Sequence, residues 1–145
     1  MKKNIIILLI FAIVIFIIIS YNYNVYKANI GKTAEYNKEY EQYLEKEIYG
    51  AELATLINKA VNQNEKNGIE RDSQNYFIEN NENSIKIDIH ILENDTIYNM
   101  ERINKKPIED FVKNFNTIKF KCVKKDYHES TQKIKYILFE QIIEE

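Results

Sequence analysis

Cys122 is the only cysteine, so the chain can form no intramolecular disulfide and no thiolate zinc site unless several chains share ligands. One proline and three glycines force few turns, and tryptophan is absent. There is no glycine-rich phosphate loop, no Gly-x-Ser-x-Gly elbow and no paired-histidine metal motif, which removes the common motif-bearing enzyme classes. His90 and His128 are the only histidines, and a catalytic or metal role would need partners converging on them. These absences argue for a non-enzymatic protein without a cofactor, held together by its core.

What the sequence does have is concentrated at its start. Lys2-Lys3-Asn4 is followed by an unbroken apolar run from Ile5 to Ile19, then Ser20 and the tyrosines Tyr21, Tyr23 and Tyr26. The run is 15 residues long, between the core of a signal peptide and a full membrane span. A cleavage site needs small residues spaced after the core, yet Ile19-Ser20-Tyr21-Asn22 and Tyr26-Lys27-Ala28-Asn29 place bulky groups there. A retained signal anchor is the favoured reading, with a cleaved peptide as the alternative. Continued as helix, Ile5 to Tyr26 would measure roughly 33 Å, enough for a hydrocarbon core of roughly 30 Å. The tyrosines would then sit at the interface. Ile5, Leu9, Phe11, Phe16 and Ile19 are the expected lipid-facing anchor residues. Lys2 and Lys3 favour a cytoplasmic amino terminus and an extracytoplasmic remainder, in a single pass through the cell membrane. With no Gly-x-x-x-Gly and no ionisable group, the run offers neither a dimerisation motif nor an ion path.

The organisation expected is a tail over 1–4, a span over 5–26, a juxtamembrane helix over 27–50 and an α+β domain over 51–145. Tyr36, Tyr40, Tyr43, Leu44 and Ile48 recur at helical spacing. Leu53, Leu56, Ile57, Ala60 and Val61 form a second apolar stripe, stopped by Asn67-Gly68. Gly50 lies between the two stripes, either kinking one helix or separating two. From Tyr76 the period falls to two: a strand over Tyr76–Glu79, a turn over Asn80–Asn83, and a strand over Ser84–Leu92. In that strand Ile85, Ile87, Ile89 and Ile91 oppose Lys86, Asp88 and His90. Glu93-Asn94-Asp95 reads as a hairpin connection into Thr96–Ile103. Pro107 suits a first helical position, and Ile108, Phe111, Val112 and Phe115 make a short amphipathic helix with Glu109 and Asp110 in its first turn. Ile118, Phe120 and Cys122 alternate in a further strand, and Lys133–Gln141 forms the last one after a turn at Glu129-Ser130-Thr131. An antiparallel sheet packed on the amphipathic helix buries both apolar faces, which defines an α+β fold.

Each candidate for chemistry has a plain structural reading. His90 on a polar strand face and His128 at a hairpin end read as surface histidines, and Cys122 beside Phe120 as a buried structural thiol. Asn94-Asp95-Thr96 matches a glycosylation acceptor that arises by chance in an Asn-rich chain. Charge is segregated: Glu35 to Asp95 holds fourteen acidic and six basic residues, Glu101 to Lys135 five acidic and ten basic. Such asymmetry can steer contact between copies or with a partner. Tyr36, Tyr40, Lys119, Lys121, Lys124 and Lys125 are the interaction candidates. Beyond a membrane the lysines would meet lipid headgroups or anionic envelope polymer, not nucleic acid.

Two resemblances extend this reading. Through Tyr49–Ala60, Asn64-Glu65-Lys66, Ser84–Ile87, Tyr127-His128 and Phe139-Glu140-Gln141 the chain resembles small single-anchor proteins of low-GC Gram-positive, clostridial bacteria, which implies the bacterial envelope and no particular activity. An apolar helix running into an amphipathic helix and then a sheet also resembles type IV pilins and pseudopilins. The glycine before the apolar run and the glutamate just inside it, typical of pilin precursors, are replaced here by Lys2-Lys3-Asn4 and Ile5–Leu9. The leading expectation is a membrane-anchored structural or interaction protein, pilin-like or part of a secretion apparatus, with a protein partner or self-association. The alternative is an extracytoplasmic sensor or ligand-binding module, which predicts an apolar pocket with a few convergent polar groups.

Overall fold

The computed structural model describes residues 2–105 and 108–143, so the expectation for Pro107 lies outside the described residues. The chain forms two compact units, Met1–Glu35 and Tyr36–Glu145. The first belongs to helix α1, Lys2–Leu44. Its apolar side chains are exposed around the whole circumference, Leu8 and Phe16 by 73% and 72%. A helix apolar on every side needs an apolar surrounding, and among the described residues this is the one helix long and apolar enough to cross a membrane. At the polar end of the run the Asn22 side-chain amide donates back to the Ile18 carbonyl at 2.8 Å, which ties it to its own helix.

The second unit is α+β, as the sequence periodicities predict. The last turns of α1 enter it through Tyr36, Tyr40, Tyr43 and Leu44, which join the core. No helix runs on to residue 50. α1 stops at Leu44, and strand β1, Ile48–Tyr49, pairs with Phe120 and Lys119 of a later strand. Burying Ile48 completely against that strand outweighs another helical turn through Glu45, Lys46 and Glu47. Helix α2, Gly50–Lys66, follows at once, so Gly50 begins a separate helix and kinks none. The Glu52 carboxylate accepts the Tyr49 N–H at 3.1 Å and pairs with Lys46 at 2.8 Å, satisfying a donor at the helix start. Leu53, Ala54, Leu56, Ile57, Ala60 and Val61 bury its apolar stripe. Asn67 caps the end, and Gly68 takes the left-handed φ of 68° that glycine accepts at no steric cost.

Asn64, fully buried on α2, shows how the helix is joined to the sheet. Its amide donates to the Ile85 carbonyl at 2.7 Å and its oxygen accepts the Ile85 N–H at 2.8 Å, so the backbone entering the next strand is clasped at both groups. Asn80 organises the turn before it, its Oδ1 accepting the N–H groups of Glu82, Asn83 and Ser84. The strand expected at Tyr76–Glu79 is absent; this stretch makes only an isolated bridge between Arg71 and Phe77.

β2, Lys86–Ile91, turns through a 3-10 segment and Asp95 at φ 48° into β3, Thr96–Asn99. The second half of the strand expected over Thr96–Ile103 is helix α3, Met100–Lys105, because Met100 and Ile103, three residues apart, both reach the core. Helix α4, Ile108–Phe115, precedes β4, Lys119–Tyr127, and β5, Ile134–Gln141. The sheet order is β1-β4-β5-β2-β3. All neighbours are antiparallel except β2 and β5, so the sheet is mixed where a purely antiparallel one was expected. The reason is that β5 returns from its hairpin with β4 into the sheet centre, where Ile134, Ile137 and Phe139 are fully buried beside β2.

Candidate functional site

Several residues singled out by sequence hold the fold. Tyr40 is 1% exposed and Tyr36 packs on it with ring centroids 5.3 Å apart, so within the folded unit Tyr40 is core and not an interaction surface. Burial pushes the Tyr36 phenol up to about 12 and the Tyr40 phenol higher still. The two hydroxyls act on each other's ionisation through a contact of hydrogen-bond type, but its geometry falls short of a well-formed hydrogen bond, and neither has another partner. His128 is not a surface histidine. It is 2% exposed and its Nε2 donates to the Ser84 carbonyl at 2.7 Å, while Ser130 and Thr131 hydroxyls donate to the carbonyls of Asn81 and Glu82. The β4–β5 hairpin tip is thereby docked on the turn that precedes β2.

The four lysines do not form one patch. Lys119 pairs with Glu47 at 3.7 Å, Lys121 with Glu140 at 4.0 Å and Lys124 with Asp126 at 3.2 Å. A register shift between Cys122 and Lys124 puts Lys124 opposite Leu138 and Lys125 opposite the buried Ile137, so consecutive lysines leave on opposite faces. Lysines and bulges on a strand beside a two-residue edge strand are the usual guard against pairing with other chains. Cys122 is half-buried, and burial raises its thiol pKa, opposed by a backbone hydrogen bond at Lys124 and by the Lys125 charge; a raised thiol is a poor nucleophile.

The sheet face turned away from α2 is polar. His90 stands between Asp95 at 2.9 Å and Glu140 at 3.5 Å, and Tyr136 donates to Asp88 at 3.1 Å. Among the described residues no cluster of histidine, cysteine and carboxylate side chains could hold a metal ion.

A cleft of about 210 Å³ lies elsewhere, lined by Tyr98 of β3, Arg102 and Ile103 of α3, and Asp110, Phe111, Asn114 and Phe115 of α4. Its floor is fixed by packing. Ile103 and Phe111 are buried, and Phe111 stacks at 5.0 Å on Phe115 and at 6.4 Å on Phe120. α4 is held by an intimate approach to α2: a Cβ on Gly50 would fall 2.0 Å from the Phe115 carbonyl oxygen. The Gly50 N–H also donates to Ile118 at 2.9 Å. On the α3 wall the Arg102 guanidinium lies over the Tyr98 ring at 5.0 Å. On the α4 wall Asp110 and Asn114 occupy one face at i, i+4 spacing, with the Asn114 Nδ2 donating to the Asp110 carbonyl at 2.9 Å. An apolar floor with a few polar groups makes this cleft a candidate ligand site. Sequence reading missed Tyr98 and Arg102, and took Asp110 for a first-turn acid, because the residues come from three separate elements.

Comparisons with protein-family models, with curated proteins and with solved structures find no match, so the functional reading rests on geometry.

Proposed function

We propose that the chain is a single-pass membrane protein whose α+β unit lies outside the membrane and acts by contact with other molecules, as a structural or interaction subunit and not as an enzyme. One observation carries this reading: the apolar, wholly exposed stretch from Ile5 to Ile19 belongs to the same helix whose last turns, Tyr36 to Leu44, build the core of the second unit. Ile5, Leu9, Phe11, Phe16 and Ile19 would contact lipid, and Lys2 and Lys3 would stay on the cytoplasmic side. A pilin-like or secretion-apparatus subunit is the version nearest this architecture. Its partner would be another protein or a second copy, guided by the acidic and basic halves of the chain.

Protease added to intact cells, read with antibodies to both ends, tests the topology: the carboxy-terminal unit should be digested and the amino terminus protected. Cross-linking in cells then tests the role. Adducts with a second copy or an assembly component are expected, and a monodisperse monomer without adducts would refute the subunit reading.

A further inference from the structure

The walls of the cleft differ in hydrogen-bonding character. The Arg102 guanidinium on α3 carries donors only, and its central carbon lies over the Tyr98 ring. On α4 the available groups are acceptors: the Asp110 carboxylate, and the Asn114 Oδ1, whose amide nitrogen is already engaged. Among the described residues Arg102 and Asp110 have no ion-pair partner and do not pair with each other, although both line the cleft. Between them lies an apolar floor of Ile103, Phe111 and Phe115.

We propose that this cleft binds a free α-amino acid with an apolar side chain. The carboxylate meets the Arg102 fork, for which two parallel N–H···O bonds are the favoured geometry. The ammonium meets Asp110 and the Asn114 oxygen, and the side chain lies on Phe111 and Phe115. Size is compatible with a ligand of this class, because 210 Å³ is below the roughly 300–1,000 Å³ of sites for drug-sized molecules. A phosphocholine headgroup is also zwitterionic, but its quaternary ammonium has no N–H for Asn114, and Tyr98, which would help to cage it, is covered by Arg102. The inference does not depend on which side of a membrane the unit occupies.

The test is calorimetric titration of the full chain in mild detergent with phenylalanine, leucine, 3-phenylpropionate, phenethylamine and phosphocholine. Phenylalanine and leucine should bind saturably, and the two analogues lacking one charged group about tenfold more weakly. Arg102→Gln should weaken phenylalanine about tenfold and erase its advantage over phenethylamine. Asp110→Asn should erase its advantage over 3-phenylpropionate. Both side chains are exposed and lack ion pairs among the described residues, so the variants should keep the wild-type near-ultraviolet dichroism. If one variant fails to fold, the analogue series on the wild-type chain decides. The proposal is overturned if neither amino acid binds, if phosphocholine binds more tightly, or if both folded variants bind phenylalanine like the wild type.

Discussion

Replacing Tyr40 with phenylalanine should stabilise the α+β unit, although it removes a polar group from a packed core. The ring is 1% exposed and its hydroxyl makes no well-formed hydrogen bond, its interaction with the Tyr36 hydroxyl falling short of that geometry, so the folded state bears a desolvation penalty that the unfolded chain escapes in water. An unsatisfied buried hydroxyl costs about 1–3 kcal/mol, and Tyr40→Phe recovers part of it while leaving the ring contacts in place. Near 4 °C per kcal/mol for a unit of this size, the melting temperature should rise by about 4–8 °C. Tyr40→Ala, which empties the site, should instead cost about 3–5 kcal/mol. The alkaline limb gives a second reading. Tyr36 titrates in the folded state at about 12 against an ordinary 10.0, and burial raises Tyr40 further. Between these values the unfolded chain has lost protons that the folded chain keeps, so stability is full below pH 10 and falls as pH rises towards 12. The Tyr36→Phe, Tyr40→Phe double variant should lose less stability over this interval. Thermal melts of the full chain in detergent, followed by near-ultraviolet dichroism at several alkaline pH values, measure both effects. A lower melting temperature for Tyr40→Phe would refute the reasoning, since it would mean that the hydroxyl has a partner in solution.

Gly50→Ala should destabilise by about 2–3 kcal/mol, because the new methyl would meet backbone atoms of Phe115, which cannot swing aside as a side-chain end could; denaturant unfolding measures it. Asn64→Ala should cost about 2–3 kcal/mol by orphaning both backbone groups of Ile85, and amide exchange at Ile85 should accelerate in step. Lys46 and the Tyr49 N–H hold Glu52 below the ordinary carboxylate value of 4.5, so its contribution is present above that pH and is lost below it, as pH falls through the lowered folded value. Glu52→Gln should therefore flatten the acid limb of stability, with little salt-independent remainder at so exposed a site.

Local signals were legible wherever one periodicity ran without interruption. The isoleucines at 85, 87, 89 and 91 mark a half-buried strand, the stripe from Leu53 to Val61 marks α2, and Asn67-Gly68 marks its end. Hidden in the sequence was whatever depended on which elements meet. Tyr136-Ile137-Leu138-Phe139 is an apolar run of the kind found in a central strand, but nothing local says that β5 lies parallel to β2. His128 looked exposed because it ends a hairpin, and it is buried because that hairpin docks on residues 81–84. Of the cleft, only the amphipathic face with Phe111 and Phe115 was foreseeable; Arg102 and Tyr98 needed the strand to end at Asn99 and a helix to begin.

Asn37, near the end of α1, carries a consequence for the order in which the protein is made. Its side chain donates to the Gln132 carbonyl at 2.8 Å and accepts the Ile134 N–H at 2.9 Å, partners 95 and 97 residues later. A ribosome delivers the apolar helix well before these partners. Until β5 has emerged, the end of α1 beyond residue 35 lacks the strand whose Ile134 N–H its Asn37 accepts, and the sheet lacks its central member. Under the proposed anchoring, membrane insertion and domain folding would be separated in time within one helix, so a nascent chain stalled before Ile134 should be inserted and still unfolded.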